Sequence, residues 1–478
     1  MKGWDTVIGL EVHAQLLTDT KAFCPCSSRT GSPPNSNTCP VCLGMPGTLP
    51  VLNRRMVDFG IRLGLATGCT VAARSVFARK NYFYPDLPKG YQITQHTEPL
   101  CSDGYVDVDV EGEPRRVRVL RIHMEEDAGK TTHDAGRPVS FVDCNRAGVP
   151  LLEIVSMPDI TSPEMAVSYL KELRLILMYL GICDGSMEEG SFRCDANVSV
   201  KPAGDPRLGT RTEVKNLNSF RNIHRALEYE AARQAAVLAS GGEVVQETRL
   251  WNASLGRTEP MRSKEESDDY RYFPEPDLMP VIVDEAWKES ARASMPELPA
   301  AVRARFMERY GLSPSDTLVL TASPDLARYF EEGAGLLPEA PKDIANWVMT
   351  GVLRVLNEGG GSIASFPVSP DMLAGLVSLV RGGKISGHMA KDVFTEMVSS
   401  GRTAGAIVEE RGMSQLSDEE RLREIAAGVV RAHPGEAGRY RSGKEGLLGF
   451  FVGKLMEETG GKANPKLASR IMKELLNL

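Results

Sequence analysis

A carboxylate and an imidazole two residues apart on a strand make a natural metal edge, and the segment TVIGLEVHAQL carries such a pair as Glu11 and His13. Strand alternation sends Ile8, Leu10 and Val12 to one face and Glu11 and His13 to the other. One such pair on a solvent-facing strand is commonplace; here the pattern recurs. In SFRCDANVSV, Arg193, Asp195, Asn197 and Ser199 lie opposite Cys194, Ala196, Val198 and Val200, and in RTEVKNLNSF Glu213 and Lys215 share a face. RVLRIHMEEDAGK runs from alternating Val117 and Val119 into Glu125, Glu126 and Asp127, while VPLLEIVSMPD sets Glu153 among Leu151, Leu152, Ile154 and Val155. A carboxylate in so apolar a strand is costly unless a cation pairs with it. Hard oxygen ligands with one imidazole suit Mg²⁺ or Mn²⁺. Alternation puts Glu125 and Glu126 on opposite faces, so only one of them faces such a site, and periodicity does not say which.

Carboxylates around Mg²⁺ beside Arg and Lys are the parts that hold a nucleoside triphosphate and stabilise a transferring phosphoryl group. Arg193, Asp195, Glu213 and Lys215 are the candidates for the nucleotide side, with Arg193 and Lys215 as phosphate contacts. EEDAGKTT ends like a phosphate-binding loop at Gly129, Lys130 and Thr131, but that motif requires Gly where Met124 stands, so the match is coincidental.

A second cluster is Cys24, Cys26, Cys39 and Cys42, a CxC followed after twelve residues by CxxC, with Pro25, Pro33, Pro34 and Pro40 between them. Paired knuckles at this spacing predict a structural Zn²⁺ site with four sulfur ligands. A redox CxxC normally opens a helix, whereas CPVCLGMPG runs straight into Gly and Pro. Cys69, Cys101, Cys144, Cys183 and Cys194 are scattered, and the odd total of 9 in 478 residues argues against a secreted disulfide scaffold.

The elements that must position these groups follow from the punctuation. Up to about Ser290 short alternating segments broken by Gly, Pro, Asn and Asp predict mainly antiparallel β structure. A helix is expected from Ser162 as N-cap to Gly181, and another over Asn222 to Ala239. After Met295 to Pro299 strand alternation gives way to helical spacing over Arg303 to Tyr310, Lys342 to Asn357 and Asp371 to Val380. The expected class is α+β in three domains: residues 1–294 with the acidic and cysteine clusters, a helical domain 295–407, and a small helical tail 408–478. From Arg431 to Leu478 nine Lys and Arg stand against five Glu, a local net of +4, although the whole chain carries -7. The charge total argues against a general nucleic-acid coat but does not exclude tRNA, because a total hides a basic face. No apolar run approaches the roughly 20 residues needed to span a bilayer, and the first ten residues read as a strand, so a cytoplasmic location is expected. Two further segments, RKNYFYPDLPKGYQ (Arg79 to Gln92) and SDDYRYFPEPDLMP (Ser267 to Pro280), mix aromatic and charged residues. They suit either stacking on unpaired RNA bases or anchoring Pro-rich loops to the sheet.

Taken together, VIGLEVHAQL, NTCPVCLGMPGTLP, RKNYFYPDLPKGYQI, HMEEDAGK, LLEIVSMPDI, EEGSFRCDANVSV, EVKNLNSFRNI, SDDYRYFPEPDL and GLLGFFVGKLMEETGGKANP resemble the B subunits of heterotrimeric aspartyl/glutamyl-tRNA amidotransferases across the whole chain. The resemblance implies a cradle domain like those of glutamine synthetase and guanidino kinases, then a helical domain and a tail that touches tRNA. It implies Mg²⁺ ligands Glu11, His13, Glu126 and Glu153, with Glu125 next in line, and Zn²⁺ on Cys24, Cys26, Cys39 and Cys42. It further implies ATP-dependent phosphorylation of the side-chain carboxylate of Glu-tRNA(Gln) or Asp-tRNA(Asn), followed by amidation. The ammonia would come from an amidase A subunit with a small C subunit wrapping the pair, since no glutaminase-type Cys motif or amidase Ser-rich signature stands in this chain. Two rivals use the same residues: a stand-alone ATP-dependent amide ligase, and a noncatalytic tRNA-binding adaptor.

Overall fold

The computed structural model describes residues 3–134, 136–261, 270–412, 419–460, 463 and 465–477. The chain divides into two compact units, Met1–Pro299 and Ala300–Leu478. In the first, nine strands form one sheet in the order Arg257–Pro260, Thr248–Asn252, Thr212–Leu217, Phe192–Pro202, Trp4–Gln15, Pro150–Ser156, Glu113–Glu126, Cys101–Val110 and Thr70–Val71. Neighbours are antiparallel except Thr212–Leu217 with Thr248–Asn252. A parallel pair needs a crossover, and the helix Phe220–Ala239 supplies it.

The sheet is two-faced because its strands alternate. Ile8, Leu10 and Val12 of the central strand, Ile122 and Met124, Leu152 and Ile154, and Ala196 and Val198 are buried. They pack in the layer formed with the helices Arg54–Ala66, Pro163–Tyr179 and Phe220–Ala239, each such aliphatic side chain contributing roughly 2 kcal/mol. The ends expected of the first helix are found, with Ser162 accepting from the Met165 N–H and Gly181, at φ +66°, following the C-cap Leu180; the second helix starts at Phe220, two residues before the expected Asn222, because Ser219 caps it by accepting from the Asn222 N–H.

The described part of the second unit contains helices and no strands. Ser-Pro steps open Pro314–Leu320, Pro324–Leu336 and Pro370–Arg381, where the fixed φ of Pro is preorganised for the first turn. The helical spacing over Lys342 to Asn357 is realised as Pro341–Trp347, a π turn Val348–Val352, and Leu353–Gly359. Gly351 sits in that turn, where a Cβ would come within 3.1 Å of Trp347 and 3.4 Å of Phe394, so the backbone lies directly on those rings. Farther on, Glu419–Ala432, Pro434–Arg441, Leu448–Glu458 and Pro465–Leu476 share a core of Leu422, Ala426, Phe451, Leu455, Ile471 and Met472. Among the described residues no helix is long and apolar enough to cross a membrane.

Candidate active site and cysteine knuckle

The central strand Trp4–Gln15 sets the register of the polar face. His13 lies opposite Glu153 on one neighbour and Arg193 on the other, and Glu11 lies opposite Asp195. Side chains of directly opposed residues share a face, so these groups are gathered by pairing alone. Ligand atoms of His13, Glu125 and Glu153 all come within 4.8 Å of one another, with His13 Nε2 3.7 Å from Glu153 Oε2. Glu125 is oriented by the Thr94 hydroxyl, which donates to Oε2 at 2.8 Å. Glu11 flanks this group and accepts from Asn197 Nδ2 at 2.9 Å. Burial raises the Glu11 carboxyl above the usual range, and the carboxylates of Glu153, Glu213 and Asp195 push it further. Burial raises Glu153 likewise, with Glu125 next. Crowded carboxylates that repel one another beside one imidazole are a donor set that fits a hard divalent cation.

Glu126 does not join them. Periodicity left the choice between Glu125 and Glu126 open, and it was the resemblance that grouped Glu126 with Glu11, His13 and Glu153; here Glu126 turns to the opposite face, pairs with Lys89 Nζ, and accepts from the Ile93 N–H at 2.9 Å. There it lines a small cavity with Cys24, Cys42 and Gly148. Glu125 takes the place in the acidic centre.

Asp195, Glu213, Lys215 and Arg193 fall on the polar face as their spacing predicts. Lys215 and Arg193 are already engaged, Lys215 with Asp195 at 2.7 Å and Glu213 at 3.3 Å, and Arg193 with Asp127 at 2.9 Å. Burial alone would lower Lys215, but Asp195 and Glu213 carry it above its ordinary value. A phosphate contact by either cation therefore competes with a carboxylate already in place.

Two residues of this centre escaped the sequence reading. Lys80, on the strand Phe77–Asn81, is opposed by burial but held protonated by the field of Glu125, Tyr272 and Glu153. His123 lies opposite Glu153, and burial, then Arg121, pushes its pKa down to about 3, leaving a neutral ring. Its parity with Glu125 was a usable signal, because residues two apart on a strand share a face. Nothing in the sequence marked Lys80 as inward-facing.

The four knuckle thiols Cys24, Cys26, Cys39 and Cys42 gather within 4.8 Å of one another. All nine cysteines are free, and the remaining five are buried. The Cys39 N–H donates to Cys42 Sγ at 3.2 Å. A hydrogen bond from Cys24, with this amide and Lys21 assisting, holds the Cys42 thiol low, at about 4. Lys21 is 1% exposed, and its Nζ lies 3.6 Å from Cys42 Sγ and 3.2 Å from the Cys144 carbonyl. A buried ammonium requires a negative partner, and a thiolate is one. Four sulfurs closed around one point suit a tetrahedral structural metal.

Comparison with known proteins agrees with both halves of the chain. Residues 6–289 match the family described as GatB/GatE catalytic domain, and residues 328–476 match the family described as GatB domain. The chain is 56% identical over 477 residues to a Geotalea uraniireducens protein and 53% identical over 473 residues to one from Thermodesulfovibrio yellowstonii, with 99% of each chain covered. It is 54% identical over 478 residues to a Geobacter sulfurreducens protein, again covering 99% of both. All three relatives are named as the B subunit of aspartyl/glutamyl-tRNA(Asn/Gln) amidotransferase. With the acidic centre, the cysteine knuckle and this likeness from end to end, the chain belongs to the family of B subunits of tRNA-dependent amidotransferases.

Proposed function

We propose that the polar face of the nine-stranded sheet is a cradle in which ATP phosphorylates the side-chain carboxylate of a glutamyl or aspartyl residue esterified to tRNA. The observation that carries this reading is the convergence of His13, Glu125 and Glu153. That carboxylate is a poor acyl donor, because attack by ammonia would have to expel oxide. When a carboxylate oxygen takes the γ-phosphoryl group, ADP leaves and the oxygen becomes part of a phosphate leaving group. Ammonia then bonds to the carbonyl carbon, phosphate departs, and the nitrogen gives up a proton to yield the amide.

His13, Glu125 and Glu153, with Glu11 beside them, would hold Mg²⁺, which supplies charge neutralisation on the ATP phosphates. Lys80 offsets the carboxylate repulsion from the side and keeps the centre from closing on protons instead of metal. The knuckle would take Zn²⁺ and stay structural, as its closed sulfur set suits. Supplying ammonia falls to an amidase A subunit, with a small C subunit completing a heterotrimer. We further propose residues 408–478, with their excess of base, as the part that touches the body of the tRNA.

The test is Glu153→Gln in the reconstituted complex. ADP formation driven by charged tRNA, and amidation with it, should disappear while glutamine hydrolysis by the partner persists. Amidation at the wild-type rate would leave only the adaptor reading. Deleting residues 408–478 should raise KM for charged tRNA; full efficiency without them would favour the stand-alone ligase.

A further inference from the structure

The two aromatic segments of the sequence meet in space, with Asn81 of one bonding Tyr270 of the other 189 residues on. The strand Phe77–Asn81 pairs with Phe273–Pro274, placing Arg79 opposite Phe273. Asn81 Nδ2 donates to the carbonyls of Tyr270 at 3.2 Å and Arg271 at 2.8 Å. Arg271 itself has φ +46°, a left-handed conformation that a non-glycine residue keeps only where its surroundings hold it. Ser267 to Asp269 of this segment lie outside the described residues.

The outcome is a row of rings. Tyr84 and Tyr82 have centroids 6.3 Å apart, Tyr82 and Tyr270 6.1 Å, and Tyr270 and Tyr272 6.1 Å. Tyr272 lies flat on His96 at 4.2 Å with the planes 9° apart. Lys80 Nζ sits over the middle, 5.1 Å from the Tyr270 ring and 6.0 Å from that of Tyr82. One end opens to water, where Phe83 is 79% and Tyr84 68% exposed. The other end adjoins the acidic centre: Tyr272 lies on His96, two residues along the chain from Thr94, whose hydroxyl donates to Glu125. Anchoring a loop explains Tyr82, whose hydroxyl bonds Gln92 at 3.3 Å. It does not explain two large rings, Phe83 and Tyr84, turned outward at the open end of a row whose inner members Tyr82 and Tyr270 carry the Lys80 ammonium.

A reacting carboxylate esterified to the terminal ribose of a tRNA cannot be far from the terminal base. Once it reaches His13, Glu125 and Glu153, that base lies only a ribose and a short side chain away, toward the inner end of the aromatic row, and the nucleotides that precede it run outward toward Tyr84 and Phe83. Rings accept any base on their faces, and a neighbouring ammonium matches the phosphate that joins one nucleotide to the next. We propose that Phe83 and Tyr84, continued inward by Tyr82, Tyr270 and Tyr272, stack the unpaired 3′-terminal nucleotides of the aminoacyl-tRNA and so set how far the esterified side chain enters the acidic centre. This rests on the function proposed above and adds the residues that position its substrate.

The experiment uses the whole reconstituted complex and charged tRNA whose penultimate 3′ cytosine, the base due at the outer rings, is replaced by fluorescent pyrrolocytosine. Binding to the wild type should quench the fluorescence. Tyr84→Ala should lose most of the quench and raise KM for charged tRNA about tenfold, with kcat changing less than twofold and KM for ATP unmoved. Tyr84→Trp should restore both, since a ring of another kind still stacks. Phe83→Ala with Tyr84→Ala should be additive in KM. Undiminished quenching in the double variant would overturn the proposal. So would separation of the double variant into subunits on size exclusion, which would make these rings a protein contact. Normal wild-type amidation without quenching overturns the stacking alone, whereas no ATP-dependent amidation by the wild type overturns the function reading beneath it.

Discussion

The two ligand clusters of the first unit are built in opposite ways. The cysteine knuckle is local: residues 24–42 bring its four thiols together through turns. The acidic centre draws His13, Glu125 and Glu153 from three different strands, and only the register of the sheet makes them neighbours. A local cluster is legible from spacing alone, while a distributed one is legible only to within the phase of each strand. The same contrast predicts how each should respond to damage: the knuckle should lose its form with its metal, whereas the acidic centre should keep its sheet and lose its chemistry.

The sharpest way to break this comparison is to exchange Glu125 and Glu126 separately for Gln. Glu125→Gln should lower tRNA-driven ADP formation by about 10³-fold without shifting thermal unfolding of the complex. Glu126→Gln should act more weakly on that rate and more strongly on stability, because it strands the half-buried Lys89 side chain. The reverse ranking would put Glu126 back in the centre. Next in size, Cys39→Ser should empty the knuckle on metal analysis and lower Tm by roughly 5–10 °C. Retention of both metal content and Tm would deny it a structural metal. Lys21→Met should weaken metal retention against a chelator about tenfold, since the thiolates lose their buried counter-charge; tighter retention would mean that the lysine is not their partner.

The smallest effect concerns pH. His123 is kept neutral when folded, with its pKa pushed down to about 3, whereas an unfolded histidine titrates near ~6.5. Between these values the unfolded chain binds a proton that the folded chain refuses. Stability from this residue is therefore complete above the unfolded value and is lost as pH falls toward the folded one. Between pH 7 and 5 the loss is about 2 kcal/mol by linkage. His123→Asn should flatten the wild-type decline in urea midpoint over that window; an unaltered slope would mean that His123 is solvated and charged.

The division of strands into two faces was open to inspection in the sequence, because Ile8, Leu10 and Val12 alternate with Glu11 and His13 and the alternation persisted into the sheet. The cysteines were legible down to each residue. What escaped was whatever depends on packing between distant segments. The choice between Glu125 and Glu126 stayed open because neither neighbour along the chain reveals which of two consecutive carboxylates faces inward, and the resemblance favoured Glu126 where the packing gathers Glu125. Lys80 reads like any surface lysine until Tyr82, Tyr270 and Tyr272 close around it. Arg193 and Lys215 looked available for phosphate because their carboxylate partners, Asp127, Asp195 and Glu213, can be matched to them only once strands are paired.

The position of Trp4–Gln15 in the middle of the sheet has a consequence for the birth of the molecule. Its two flanking strands, Pro150–Ser156 and Phe192–Pro202, are translated long after it. At about 5–20 residues per second the oldest strand waits roughly ten to forty seconds, bare-edged and aliphatic on one side, before both partners leave the ribosome. Asp5 and Glu11, on its polar side, are then the charges that disfavour pairing with other nascent chains.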